Sequence, residues 1–304
     1  MTPHPDLLDR PAAEGARAVA LRLLAEARER AGRLGWPGDD EALHDFRVSV
    51  RRLRSALRTW REVLGSDVRD KDLRRLRRVA RSTGEARDTE VMLAWLGQAA
   101  GELPASQRSA VGWLARGLAL PDGDAGLRRA AERLVETAAG LSHRLGRERI
   151  DPPGEPFGAA VAVRIREQAR AVAGFLARVE TLDDAPLAHR ARIRGKRLRY
   201  LLEPLQDAPG PSPVRALKAL KRLQELLGEL NDARVAAEIL RAAGRDAGPA
   251  VRRGIASLET MAARRAGAAF ERLRMEVLRG HGKAALGPAL EVAAALEARG
   301  APRP

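Results

Sequence analysis

The chain contains no cysteine, which excludes disulfide scaffolds, thiolate metal sites and cysteine nucleophiles. Aromatic residues make up only 3% of it, too few for a module that reads single-stranded bases by stacking. Lysine is almost as scarce: Lys71, Lys196, Lys218, Lys221 and Lys283 are the whole set. The five histidines show no HExxH spacing, so no zinc motif is present. No run approaches the roughly 18 apolar residues of a membrane-spanning helix. The opening MTPHPDLLDR lacks an apolar signal segment, so the expected location is the cytoplasm. Alternating β-branched runs are missing as well, which argues against strands.

What is present is a 304-residue chain that is 45% apolar, enough to bury a substantial core. Its 55 basic residues outnumber 40 acidic ones, giving a formal charge of +15. A balance that basic points to polyanionic partners, among them nucleic acid, polyphosphate and anionic lipid. Nearly all the positive charge is arginine, which a GC-rich genome alone could favour. Arginine nevertheless carries a planar fork that grips phosphate oxygens in pairs, as lysine does not.

Apolar spacing is helical almost throughout, and the fold class it predicts is all-α with about ten helices. Breaks fall at Gly35-Trp36-Pro37-Gly38, Gly101 to Pro104, Pro121-Asp122-Gly123, Asp151 to Gly154, Asp207 to Pro213 and Gly244 to Pro249. Asp39 or Asp40 is placed to cap a helix running to about Leu64. After Gly280 the pattern predicts a C-terminal helix and a frayed tail.

An internal duplication is the most informative feature. Residues 44–54 read HDFRVSVRRLR and residues 189–199 read HRARIRGKRLR. Behind each lies a second match, LRRLRRVARSTGEARDTEV from Leu73 and LKALKRLQELLGELNDARV from Leu217. The two offsets, 145 and 144 residues, agree to within one. Leu-Arg runs recur by chance in such a composition, but an ordered pair of blocks does not. Two similar halves sharing one architecture are therefore expected.

On a helix at 100° per residue, His44, Arg47, Arg51, Arg54 and Arg58 fall within an arc of about 80°. Phe46, Val50, Leu53, Leu57, Trp60 and Leu64 occupy a neighbouring arc, so an apolar seam runs beside a basic stripe. His189, Arg192, Lys196 and Arg199 repeat the stripe, with Leu198, Leu202 and Leu205 as seam. Arg74, Arg77 and Arg81 line up in the first following block, Lys218 and Lys221 in the second, flanked by Arg78 and Arg222. A solvated surface stripe is the ordinary fate of such a run. Ordinary amphipathic helices, however, intersperse acids at i±4 to relieve like-charge repulsion. Asp45 is the only acid between His44 and Arg61, and none lies between His189 and Leu202. That scarcity favours an anion-binding face.

His44 and His189 share this context, and an imidazole there can donate a hydrogen bond to an oxygen. His4, His143 and His281 recur in no pattern and read as surface residues. Glu85, Asp88, Glu229 and Asp232 follow the basic helices. Four carboxylates meeting at the centre would make a metal site; the simpler reading is that they brace arginines. Gly84 and Gly228, just before them, are consistent with a kink or helix end. Arg52 and Arg197 lie off the stripes and are outer-rim candidates.

These blocks resemble the CHAD family, the conserved histidine α-helical domain, whose hallmark is a histidine followed by arginines on a helix in two copies. His44, Arg47, Arg51 and Arg54 match the first copy; His189, Arg192, Lys196 and Arg199 match the second. The run from Leu226 to Val235 is similar to the family's second-copy signature, while Ser82-Thr83-Gly84 departs from the leucine common before glycine in the first. The resemblance spans roughly residues 12–280, with halves of about 12–150 and 157–280, leaving 281–304 as tail. It implies an all-helical fold of two four-helix halves related by a pseudo-twofold around a basic channel. It also implies binding of inorganic polyphosphate without catalysis or cofactor, in some members beside a fused CYTH triphosphatase. The ExExK signature of that partner is missing, so a standalone member, sited in the cytoplasm or on polyphosphate granules, is expected.

Alternatives differ in what they require. Non-specific nucleic-acid binding needs only charge, and competition with polyphosphate discriminates it. Phosphoanhydride hydrolysis lacks a motif: Gly280-His281-Gly282-Lys283 has neither the P-loop spacing nor a following Ser or Thr. His44-Asp45 stands alone, since Arg190 replaces the aspartate in the second copy. Membrane-surface binding would need an apolar face that the core already claims.

Overall fold

Alanine, leucine, arginine and glutamate lose little on entering a helix, and the chain uses them to build helices end to end. The structure, a computed structural model, describes residues 7–34, 41–118, 123–147 and 154–300. Eleven α-helices occur among the described residues: α1 (Ala12–Gly32), α2 (Ala42–Thr59), α3 (Arg61–Leu64), α4 (Asp70–Glu102), α5 (Ser109–Leu118), α6 (Gly123–Leu145), α7 (Phe157–Leu176), α8 (Ala185–Leu202), α9 (Val214–Asp246), α10 (Pro249–Glu276) and α11 (Lys283–Gly300). No strand is found among those residues, as the missing β-branched runs predicted. No described helix is long and apolar enough to cross a membrane.

The duplicated blocks become helices of matching length. α2 and α8 each have 18 residues, and α4 and α9 each have 33. Around them, α1 packs on α2, α2 on α4, α4 on α6, and α6 back on α1. The second set closes in the same order: α7 on α8, α8 on α9, α9 on α11, and α11 on α7. The C-terminal helix expected after Gly280 is α11, and it packs in the bundle, where its Leu286, Ala289, Val292, Ala293 and Leu296 are buried. Residues 301–304 of the expected frayed tail lie outside the described residues.

The expected seams hold the core. Phe46, Val50, Leu53 and Leu57 on α2 and Leu198 and Leu202 on α8 are fully buried. Each such side chain contributes about 1.5–3 kcal/mol relative to exposure. The helix expected to reach Leu64 breaks at Trp60, whose ring packs 4.9 Å from Phe157 with the Arg164 guanidinium 4.5 Å over its face. Gly15 lets α1 approach that point, because a Cβ there would stand 2.3 Å from the Phe157 ring.

α4 and α9, each about 50 Å long at 1.5 Å per residue, outrun the main core. Their C-terminal halves form a second core with α5 and the start of α10, built on Met92, Trp95, Leu96, Leu240, Ile255 and Leu258. Gly254 brings α10 against α5, where a Cβ would meet that of Ala110 at 2.5 Å. Gly84 and Gly228 do not end these helices, which run through both. Packing on both sides of each glycine outweighs its weak helix propensity. The breaks at Gly101 to Pro104, Asp207 to Pro213 and Gly244 to Pro249 each span a junction between helices, although Gly101 and Gly244 still belong to the last turns of α4 and α9. Asp39, Asp40, His4 and the residues of the breaks at 35–38, 121–122 and 151–153 lie outside the described residues.

Candidate anion-binding site

Burial of the seams fixes the rotation of α2 and α8, and the neighbouring basic arcs then have one place to go. They meet in a cavity of about 250 Å³ between α2, α8 and the middles of α4 and α9. Arg47 and Arg51 enter it from α2, and His189, Arg192 and Lys196 from α8. Asp88 of α4, Asn231, Asp232 and Arg234 of α9 and Arg265 of α10 complete its polar lining.

Electrostatics in this cavity are strained toward an anion. Burial pushes the Lys196 amine from its ordinary value down to about 6, and Arg51, Arg192 and Arg199 push the same way, against Asp232. Burial also lowers Arg192; Asp232 and Asp88 oppose this, while Arg51 adds to it. Lys196 and Arg192 have no hydrogen-bond or ion-pair partner among the described residues, and the buried Arg192 Nε is unsatisfied. An unpaired buried charge is costly, so Arg192 is held charged against its preference, while Lys196 gives up its proton above about 6. His189 is oriented by Asn231, whose Oδ1 lies 2.7 Å from Nδ1, leaving Nε2 for a further partner. Arg51 is oriented too, its Nε donating to Tyr200 Oη at 2.7 Å.

The basic lining continues along α2. Arg54 is lowered first by burial and then by Arg58, Arg77, Arg197 and Arg51, which places it between the cavity and a second hollow. That hollow, about 340 Å³, is lined by Arg58, Arg61, Arg74 and Arg77 together with Asp70 and Leu73. From Arg47 to Arg58 the track along the α2 axis is roughly 17 Å.

Other residues singled out in the sequence land elsewhere. His44 is exposed at the start of α2. Arg78, Arg81, Lys218 and Lys221 are exposed on α4 and α9. Arg199 turns to Glu203, 3.1 Å from its Nε, and lies over the Tyr200 ring. Arg222 is held by Glu276 of α10 at 2.5 Å and by Glu225. Arg52 is no rim residue, because Glu26 and Glu203 bind it at 3.0 and 2.8 Å. Arg197, half-buried near Arg194 and Arg58, does flank the track. His143 and His281 are exposed.

The carboxylates divide. Asp88 and Asp232 meet in the cavity: partial burial raises Asp88, Asp232 adds to that, and Arg47, Arg192 and Lys196 oppose it. Glu229 faces away and accepts from Arg272 of α10 at 2.6 Å, so it braces an arginine outside the stripe. The side chain of Glu85 lies outside the described residues. Among the described residues no group of three or more His, Asp or Glu side chains is placed to hold a metal ion. Tyr200 and Asn231, which stand in neither basic stripe, orient Arg51 and His189 in the site, and Glu203 draws Arg199 and Arg52 away from it. Tyr200 is the single tyrosine of the chain and directly follows the second basic block, a signal that could have found it.

Solved structures share this architecture. The crystal structure of the CHAD domain from the plant Ricinus communis is 24% identical, with a TM-score of 0.66, covering 92% of this chain and 93% of that one. PptA from Streptomyces chartreusis is 19% identical with a TM-score of 0.62, covering 88% of this chain and 99% of its own. No curated protein matches the chain. The CHAD domain family model matches residues 18–241, from within α1 to near the end of α9 and across both histidine–arginine blocks. The chain belongs to the CHAD domain family.

Proposed function

We propose that this protein binds inorganic polyphosphate, or a related condensed phosphate, in the basic cavity and along the Arg54–Arg58–Arg77 track, without catalysing a reaction on it. The observation that carries the reading is the convergence of Arg47, Arg51, His189, Arg192 and Lys196 on one cavity, with Arg192 and Lys196 holding no counter-ion in direct contact among the described residues, though Asp88 and Asp232 share the cavity. A flexible chain with about one negative charge per phosphate supplies those counter-ions in series. Bound phosphate would relieve the burial cost of Lys196 and Arg192, so binding free energy is drawn partly from strain already present. The family is known for binding polyphosphate-related molecules, which agrees with this assignment. Location on polyphosphate granules would follow from the same affinity.

Titrating wild type and Arg51→Glu/Lys196→Glu with polyphosphate of tens of units tests the proposal, with helicity followed in parallel. Tight binding by wild type at physiological salt and its loss in a folded variant is the expected result. Undiminished affinity in that variant would overturn the site. In competition, polyphosphate should displace RNA or DNA far more effectively than the reverse.

A further inference from the structure

Beyond its acids the cavity turns largely apolar, with Arg234 and Arg265 as the further charged residues of its lining, and an apolar surface offers little to a ligand that is charged in every unit. On α4, Asp88 is followed by Val91, Met92 and Trp95 at +3, +4 and +7, one face of a helix, and all four line the cavity. On α9, Asp232 is followed by Val235, Ala236 and Ile239 at the same intervals, and these line it too. Both helices therefore present the same order along their axes, an acid beside the cations and then an apolar wall. The wall extends about 10 Å beyond the acids at 1.5 Å per residue. Carboxylates repel phosphate, and an apolar wall gives a fully hydrated polyanion no gain.

Resting on the reading that these cations hold phosphate, we propose that the cavity also takes nucleoside 5′-oligophosphates. The phosphates would lie on Arg51, Arg192 and Lys196. Sugar hydroxyls, which donate, meet Asp88 and Asp232, which accept. The base lies against Trp95 and Met92, where a flat ring gains from stacking and from leaving water. A carboxylate pair among cations is then a selective feature, since it accepts from hydroxyls and rejects a further phosphate at that point.

The test compares ATP with inorganic tripolyphosphate on the full-length chain by calorimetry, with EDTA present so that neither ligand carries a metal. Both have three phosphates, and tripolyphosphate has the higher charge, so electrostatics alone would make it the tighter ligand. The expected result is ATP binding about tenfold more tightly, the scale of a stacked base. Trp95→Leu should then lower ATP to the level of tripolyphosphate and leave tripolyphosphate unchanged. Should that variant not fold, the wild-type comparison decides alone. ATP binding no better than tripolyphosphate, while tripolyphosphate binds, overturns this inference and leaves the phosphate reading standing. If ATP, tripolyphosphate and long polyphosphate all fail to bind, the phosphate reading falls with it.

Discussion

Arginines on the outside of the bundle and arginines on its inside live under opposite rules. Arg272 meets Glu229, Arg222 meets Glu276, Arg166 meets Glu297 and Arg299 meets Asp9, each pair at 2.5–2.6 Å. The first three staple neighbouring helices and the fourth ties α11 to the turn before α1, at about 0–1 kcal/mol apiece. Inside, Arg192 and Lys196 point into a shared cavity with no partner among the described residues. Asp88 and Asp232 share that cavity but make no direct pair with either residue, and they are outnumbered there by cations. Burial of an excess of like charge opposes folding, which is why the proposed role of the cluster is to attract an anion.

The sharpest break between the two classes should come from salt. Engaging about six phosphates releases counter-ions with a log–log slope near −4, so polyphosphate affinity should fall roughly 250-fold between 50 and 200 mM salt. The exposed pairs are screened over the same range, yet thermal stability should move by only a degree or two. A flat affinity profile would remove the electrostatic basis of the site.

Single substitutions divide the classes next. Arg192→Gln should weaken polyphosphate binding roughly 10- to 100-fold, the worth of a charge-assisted hydrogen bond. Arg272→Gln should change it less than twofold. Calorimetric titration of the two variants side by side checks both numbers.

Protonation of Lys196 gives a third, smaller handle. Its amine is charged only below about 6 in the free protein, so affinity should rise as pH falls from 8 to 5.5, by about tenfold. Lys196→Arg should flatten the part of that rise due to this residue. The sign for stability is opposite. Between about 6 and the ordinary lysine value of 10.5 the unfolded chain binds the extra proton, so the group makes the free protein more stable as pH rises through that window. Melting temperatures at pH 6.5 and 9 should show a steeper rise for wild type than for Lys196→Met.

The smallest effect concerns positioning. Tyr200→Phe removes the acceptor that orients Arg51 and should cost roughly two- to tenfold in affinity, with the melting temperature nearly unchanged.

Much of this was legible in the sequence because it depends on periodicity. The apolar arc of α2 had to be buried, and the basic arc beside it then had to face the same junction. The ordered duplication located α8 and α9 by the same reasoning. Pairing was not legible, because an ion pair depends on which helix comes alongside. Arg199 and Arg192 occupy equivalent faces of α8, yet Glu203 one turn on captures Arg199 and nothing described captures Arg192. Arg52 looked like a rim residue until α1 supplied Glu26. Glu229 and Asp232 lie three residues apart, but only Asp232 looks into the cavity, since α10 covers the other side of α9. Gly84 and Gly228 misled for a related reason: tertiary packing carried both helices through a residue that punctuates weaker ones.

The central claim is that inward cations bind polyphosphate because of where they point, and not because the chain is basic. Two variants with equal loss of charge separate these causes: Arg51→Gln/Arg192→Gln inside, and Arg222→Gln/Arg272→Gln outside. Polyphosphate titration at physiological salt should show at least about 100-fold weaker binding for the inner pair and a change within about twofold for the outer pair. Equal losses in the two folded variants would contradict the account and reduce the protein to a non-specific basic surface.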